Sequence, residues 1–174
     1  MKNISLIFFL FSQFTLTLGQ TNIDINAGKY AIALHYIQNA SSVQDIKISG
    51  NIVDLDRWVF PVDSLEDYPE EKKHHIECIE RQNTGMFEEY SYSKDIAALT
   101  SDVRNPQKIA YFSKIKDNML VGCIVPFDER IHCMEFIDNY DIMCRFCEAD
   151  CYLFLFDIDN KIKKVIRVSV IYDF

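Results

Sequence analysis

Six cysteines carry the clearest chemical potential in this chain: Cys78, Cys123, Cys133, Cys144, Cys147 and Cys151. Five of them fall between positions 123 and 151, and Cys78 stands apart. An even set in a chain bound for an oxidising compartment reads as disulfides, and spacing alone leaves the connectivity open. Such bonds would organise mainly the C-terminal third. Cys144, Cys147 and Cys151, with Cys133 or His132 as a fourth ligand, would also suit tetrahedral zinc. The second half of a zinc-ribbon pattern is absent, and oxidation competes with thiolate ligation. Disulfides are therefore the expectation, with no metal and no cofactor. A redox role for Cys144 and Cys147 would need a preceding strand and a following helix, and the flanking pattern shows neither.

Acid–base catalysis near neutral pH would draw on His35, His74, His75 or His132. His75 lies beside an apolar helical stripe and near Glu77, but residues one or two apart on a helix do not face each other. A surface histidine in the charged run Glu70 to His75 is the expectation. His75-Ile76-Glu77 lacks the second histidine of a metalloprotease helix. Asp138, Asp141, Glu148, Asp150, Asp157 and Asp159 offer oxygens to calcium, yet no segment alternates ligands around a central glycine. They read as a solvated rim. There is no Gly-x-Ser-x-Gly elbow and no glycine-rich phosphate loop, so no catalytic residue is assigned.

The chain has 174 residues, 49% of them hydrophobic and 13% aromatic, enough for one packed core. Its 18 Lys and Arg against 26 Asp and Glu give a net charge of −8. That balance argues against nucleic acid and against docking on anionic membrane, because both need clustered cations. Lys2 is followed by the apolar run Ile4 to Phe11, continued by Phe14, Leu16 and Leu18, with small Thr17 and Gly19 at the exit. This is the pattern of a secretory signal peptide over residues 1–19. Ser12-Gln13 interrupts it too early for a membrane span. The expected product is a secreted single domain over residues 20–174, with no later segment able to span a bilayer. Within it Asn39-Ala40-Ser41 is a glycosylation acceptor, expected at an exposed position after the first element.

Elements that could position these residues run from helices to strands. Tyr30, Leu34 and Ile37 share a helical stripe ending near Asn39, although Tyr30, Ile32, Leu34 and Tyr36 also alternate. Ile48, Ile52 and Leu55 allow a second short helix, weakened by Gly50, and Trp58-Val59-Phe60 reads as a brief buried strand. Pro69, Glu70 and Glu71 open a clear helix with Tyr68, Lys72, Ile76 and Ile79 on one stripe; Arg81 and Gly85 mark its end. Beyond 107 the period becomes two. A strand around Ile109 to Ile115 turns at Asp117-Asn118 into Met119 to Val125, which is apolar on both faces. Tyr152 to Ile158 turns at Asp159-Asn160 into Lys163 to Tyr172, where Ile166, Val168 and Val170 share the buried face. Asp128 to Asp150 reads as a disulfide-pinned connection. Trp58, Phe60, Tyr111, Phe112, Phe127, Phe154 and Phe156 serve a core, and could line a pocket.

The last hairpin, Phe154 to Ile162 followed by Val165 to Asp173, resembles the closing hairpin of SnoaL-like members of the NTF2-like domains. There an aspartate-glycine-lysine-isoleucine turn precedes a strand ending in tyrosine-aspartate; here Asn160 replaces the glycine. The hairpin Ile109 to Val125 is similar to the middle of that sheet, and residues 29–82 agree only in coarse order. The resemblance implies an α+β fold, N-terminal helices packed on a curved antiparallel sheet that forms a cone with a pocket. No family site residue maps onto this chain. The expected function is a secreted, disulfide-stabilised, non-catalytic domain binding a small apolar ligand or an extracellular protein partner. One alternative is a pocket enzyme of isomerase or dehydratase type. Another is a lipocalin-like carrier, since Gly28-Lys29-Tyr30 resembles the lipocalin glycine-x-tryptophan opening without its tryptophan.

Overall fold

A computed structural model of the chain describes residues 25–41, 43–55, 57–86, 91–129 and 148–171. The expected leader at 1–19 and the span 130–147 lie outside the described residues. The described residues open with helix α1 (Ile25–Ser41), strand β1 (Ile46–Ile52), a 3-10 turn at Val62–Leu65 and helix α2 (Pro69–Asn83). Next come β2 (Ser91–Tyr92), α3 (Lys94–Ala98), β3 (Lys108–Phe112), β4 (Met119–Pro126), β5 (Glu148–Phe156) and β6 (Ile162–Ile171). The fold is α+β, and the described residues form an open six-stranded mixed sheet in the order β2-β1-β3-β4-β5-β6. β1 runs parallel to β3, and every other neighbouring pair is antiparallel.

Alternation along the strands divides the core into two layers. Ile109, Tyr111, Val121, Cys123, Cys151 and Leu153 point to one face. Ala110, Phe112, Leu120, Ile124, Tyr152 and Phe154 point to the other. β4 is apolar on both faces because both are covered. Tyr30, Ala33, Leu34 and Ile37 of α1, with Ile96 of α3, cover the second face. Phe60 and Leu65 join the first, where α2 also stands through the edge contact of His75 with Phe60. Helices therefore lie on both faces, where a simple cone would gather them on one.

Several elements differ from the sequence expectation. Residues 46–52 form a strand, not a short helix. Ile48 and Ile52 fit helical spacing, but Ile46 and Ile48 bury together when β1 pairs with β3 from Lys108 onward. Gly50 belongs there because an added Cβ would lie 2.6 Å from the Tyr92 ring. Trp58 sits in a turn, 54% exposed, instead of in a buried strand. The turn closes when the Phe60 N–H donates to the Arg57 carbonyl at 3.1 Å.

Helix α2 starts at Pro69 with Glu70 and Glu71 in its first turn and Arg81 in its last, as its dipole favours. Its inward residues are His75, Cys78 and Gln82, rotated from the expected stripe. Polar bonds explain the rotation. Gln82 accepts from the Arg57 N–H at 3.1 Å and donates to the Leu55 carbonyl at 3.0 Å, while Arg81 grips both oxygens of Asp54. Buried backbone groups need such partners, and these override the apolar pattern.

Candidate functional site

The site with the most chemistry lies where β3 begins and β4 ends. A cleft of about 400 Å³ opens there, lined by Lys108, Ile124, Pro126, Asp150, Ser169 and Ile171 among others. The hairpin register sets its polar centre. Asp157 accepts from the N–H groups of Asp159 and Lys161 at 2.9 and 2.8 Å, and Asn160 takes a φ of 62°. That turn, with a one-residue register shift between Leu155 and Phe156, places Asp150 opposite Ser169 and Tyr152 opposite Arg167. Asp150 Oδ1 accepts from Ser169 Oγ at 2.7 Å and from Arg167 Nη2 at 3.1 Å, with Lys108 Nζ 3.9 Å from Oδ2. Burial alone would raise the Asp150 carboxyl. The Ser169 and Arg167 hydrogen bonds and the nearby positive charges outweigh it and hold the group below the ordinary aspartate range. The carboxylate is thus fixed in its charged form, a structural ion and a poor general base. Arg167 also lies 5.6 Å above the Tyr152 ring.

The same hairpin leaves an open edge. Phe156 N–H donates to the Asn118 carbonyl at 2.9 Å, so even-numbered residues of β5 bond to β4 and odd-numbered ones to β6. The backbone groups of Val165, Arg167, Ser169 and Ile171 then face away from the sheet. Among the described residues no strand pairs with that side of β6. Lys163, Lys164 and Arg167 lie along it, bonded to Glu71, the Ser64 carbonyl and Asp150 in turn, and β6 itself carries no acidic residue from Ile162 to Ile171.

The cysteines divide into two groups. Cys133, Cys144 and Cys147 lie outside the described residues, as does His132, so the zinc alternative falls there too. Cys78 is buried in α2. Cys123 and Cys151 are buried and directly opposite each other on β4 and β5, with their sulfurs 3.8 Å apart. The strand patterns located both residues, but their register depends on a connection that the sequence does not make readable. Among the described residues, no group of three or more His, Cys, Asp or Glu is placed to hold a metal.

The histidines are scattered. His35 is exposed and accepts from Asn39 Nδ2 at 3.1 Å. His74 lies 3.4 Å from carboxylate oxygens of both Glu77 and Asp117 at the surface. His75 is fully buried, against the expectation of a surface residue. Its Nε2 donates to the Phe60 carbonyl at 3.2 Å. Burial, with the Arg57 charge adding to it, lowers its pKa despite that bond. The rotation of α2 turns His75 inward. Its ring edge meets Phe60, and no acid–base partner is among its contacts.

Of the remaining candidates, Asn39 is exposed, as expected, but in the last turns of α1. Asp157 caps the hairpin turn, and Asp138 and Asp141 lie outside the described residues. Phe60, Tyr111, Phe112, Phe154 and Phe156 are core, Phe127 is half-buried, and the exposed Trp58 is not part of the cleft beside Asp150. Gly28-Lys29-Tyr30 lies inside helix α1, which removes the lipocalin-like opening. Lys29 instead reaches across to Asn118 Oδ1 at 2.8 Å and pins the β3–β4 turn. Lys108, Arg167 and Ser169 were missed as site residues; counting outward from the Asp157–Asn160 turn would have aligned Ile166 and Val168 with Tyr152 and Asp150, and the irregularity between Leu155 and Phe156 shifts the register by one. In comparisons with known proteins, no family model, no curated protein and no solved structure matches the chain.

Proposed function

We propose that the chain is a secreted, non-catalytic domain that binds an extracellular protein partner, and that the partner lays an extended, acid-bearing segment along the outer edge of β6. One observation carries this reading: a ten-residue edge strand that no described strand covers, bearing Lys163, Lys164 and Arg167 and no acid of its own, in a chain of net charge −8. Main-chain bonds to Val165, Arg167, Ser169 and Ile171 would supply affinity, and acidic side chains of the partner would share the half-exposed Lys163 and Arg167 with Glu71 and Asp150. The same cations disfavour a second copy, whose β6 would double the row of positive charge along one seam. Secretion rests on the leader pattern at 1–19. Kinship with NTF2-like domains belongs to the same proposal. It is supported by the antiparallel run β3 to β6 with its closing hairpin, while α2 on the first face, opposite α1, departs from a simple cone. The clamped Asp150 and the deeply buried His75 favour this reading over the isomerase or dehydratase alternative.

The small-ligand reading has its own observation, the cleft beside Asp150. Its volume is within the range of small-molecule sites, and Ile124, Pro126 and Ile171 give it apolar walls.

The test is an NMR titration of the folded chain with a synthetic peptide of alternating valine and glutamate. Amide shifts at Val165, Arg167, Ser169 and Ile171, weakened by Arg167→Glu, are expected. Shifts confined to Ile124 and Lys108 would favour the cleft. No shift on β6 would overturn the edge proposal.

A further inference from the structure

We propose that Cys123 and Cys151 form one cross-strand disulfide, which selects among the connectivities that six cysteines allow. The two residues are register partners on β4 and β5. Ser113 N–H donates to the Val121 carbonyl at 2.8 Å, so Val121 and Cys123 turn their backbone groups toward β3. Toward β5, Cys123 is therefore in a non-hydrogen-bonded pair. In such pairs the Cα atoms approach to about 4.5 Å and the side chains lie side by side. A disulfide tolerates Cα separations from about 4.4 Å upward, so the backbone needs no rearrangement. The sulfurs stand 3.8 Å apart on one buried face, among Val121, Val125 and Leu153. Rotation about the two Cα–Cβ bonds closes the remaining distance.

The bond forms by exchange with a small-molecule disulfide such as glutathione disulfide. One cysteine thiolate attacks it and forms a mixed disulfide, releasing one glutathione thiolate. The second cysteine thiolate then attacks the protein-bound sulfur, forms the Cys123–Cys151 bond and releases the second glutathione. The two protein thiols give up two protons and two electrons in all, and the glutathione disulfide takes them up.

Cys123 precedes Ile124 and Cys151 follows Asp150, both of which line the cleft on the opposite face. A bond behind them would hold that floor together and close the chain around residues 124–150.

The test is peptide mapping of the full chain after equilibration with glutathione disulfide and blocking of remaining thiols. Trypsin at Arg130 and Arg145, with glutamyl endopeptidase at Glu135 and Glu148, places all six cysteines on separate peptides. The expected map joins the peptide beginning at Asp117 to the one beginning at Ala149, and reduction separates them. Cys78→Ser keeps that link, and Cys151→Ser leaves Cys123 open to alkylation. A link from Cys123 or Cys151 to any other cysteine overturns the assignment, as does full alkylation of both. The map on the unsubstituted chain decides the matter even if a variant fails to fold. It needs no export from a cell, so its outcome is separate from that of the secretory reading.

Discussion

His75 Nε2 donates its hydrogen to the carbonyl of Phe60 at 3.2 Å, deep between helix α2 and the turn that precedes it. The bond fixes the neutral tautomer with its proton on Nε2. Protonating Nδ1 would place a cation in the core near Arg57, and for this reason the pKa is lowered from 6.5. A histidine depressed in the folded state is protonated first in the unfolded chain. Its contribution to stability is complete above about 6.5 and is lost as pH falls from there toward the lower folded value. The urea midpoint should therefore drop between pH 7.5 and pH 5. His75→Phe should lower the midpoint at pH 7.5, through loss of the bond, but flatten the fall. An unchanged slope in that variant would assign the acid sensitivity elsewhere.

Asp150 should act in a lower window. Its carboxyl is held below the ordinary value of 3.8, so its contribution is present above that value and is lost as pH falls through the depressed one. Arg167 is 47% exposed, so solvent screens the pair. Asp150→Asn should cost about 1 kcal/mol at pH 7 by chemical denaturation, and less at pH 2.5. A loss of several kcal/mol at pH 7 would mean that the cleft is closed to water.

Gly122→Ala probes how tightly β3 and β4 pack. The added Cβ would lie 2.8 Å from the Phe112 ring, which is itself fully buried. With Tyr30 set edge-on at 5.6 Å, the ring has little room to withdraw. Overpacking of this kind costs about 1–3 kcal/mol, measurable as a shift of the denaturation midpoint with an unchanged slope. A neutral result would show free space beneath α1.

Local chemistry made much of this fold legible. Pro69 and Arg81 bracket α2 because their effects act within one helical turn. Asp117 and Asn118 mark the β3–β4 turn because both take positive φ, 49° and 59°, which few other residues accept cheaply. What escaped was set at a distance. β1 became a strand by pairing with β3, some sixty residues later, and no local period announces a parallel partner. His75 turned inward because Gln82 and Arg81 anchor α2 to Asp54, Leu55 and Arg57, none of which is near it in sequence. Covering of both sheet faces was likewise hidden: the doubly apolar β4 showed that two faces are buried, but not which helix covers each.

The central proposal is a secreted chain whose sulfurs are cross-linked. Its most direct test is the intact mass of material released by eukaryotic cells, labelled with a thiol reagent under denaturing conditions before and after reduction. The account predicts a polypeptide starting at Gln20, unlabelled before reduction and labelled at all six cysteines after it. A chain retained in the cells with residues 1–19 intact, or six cysteines labelled without reduction, would contradict it.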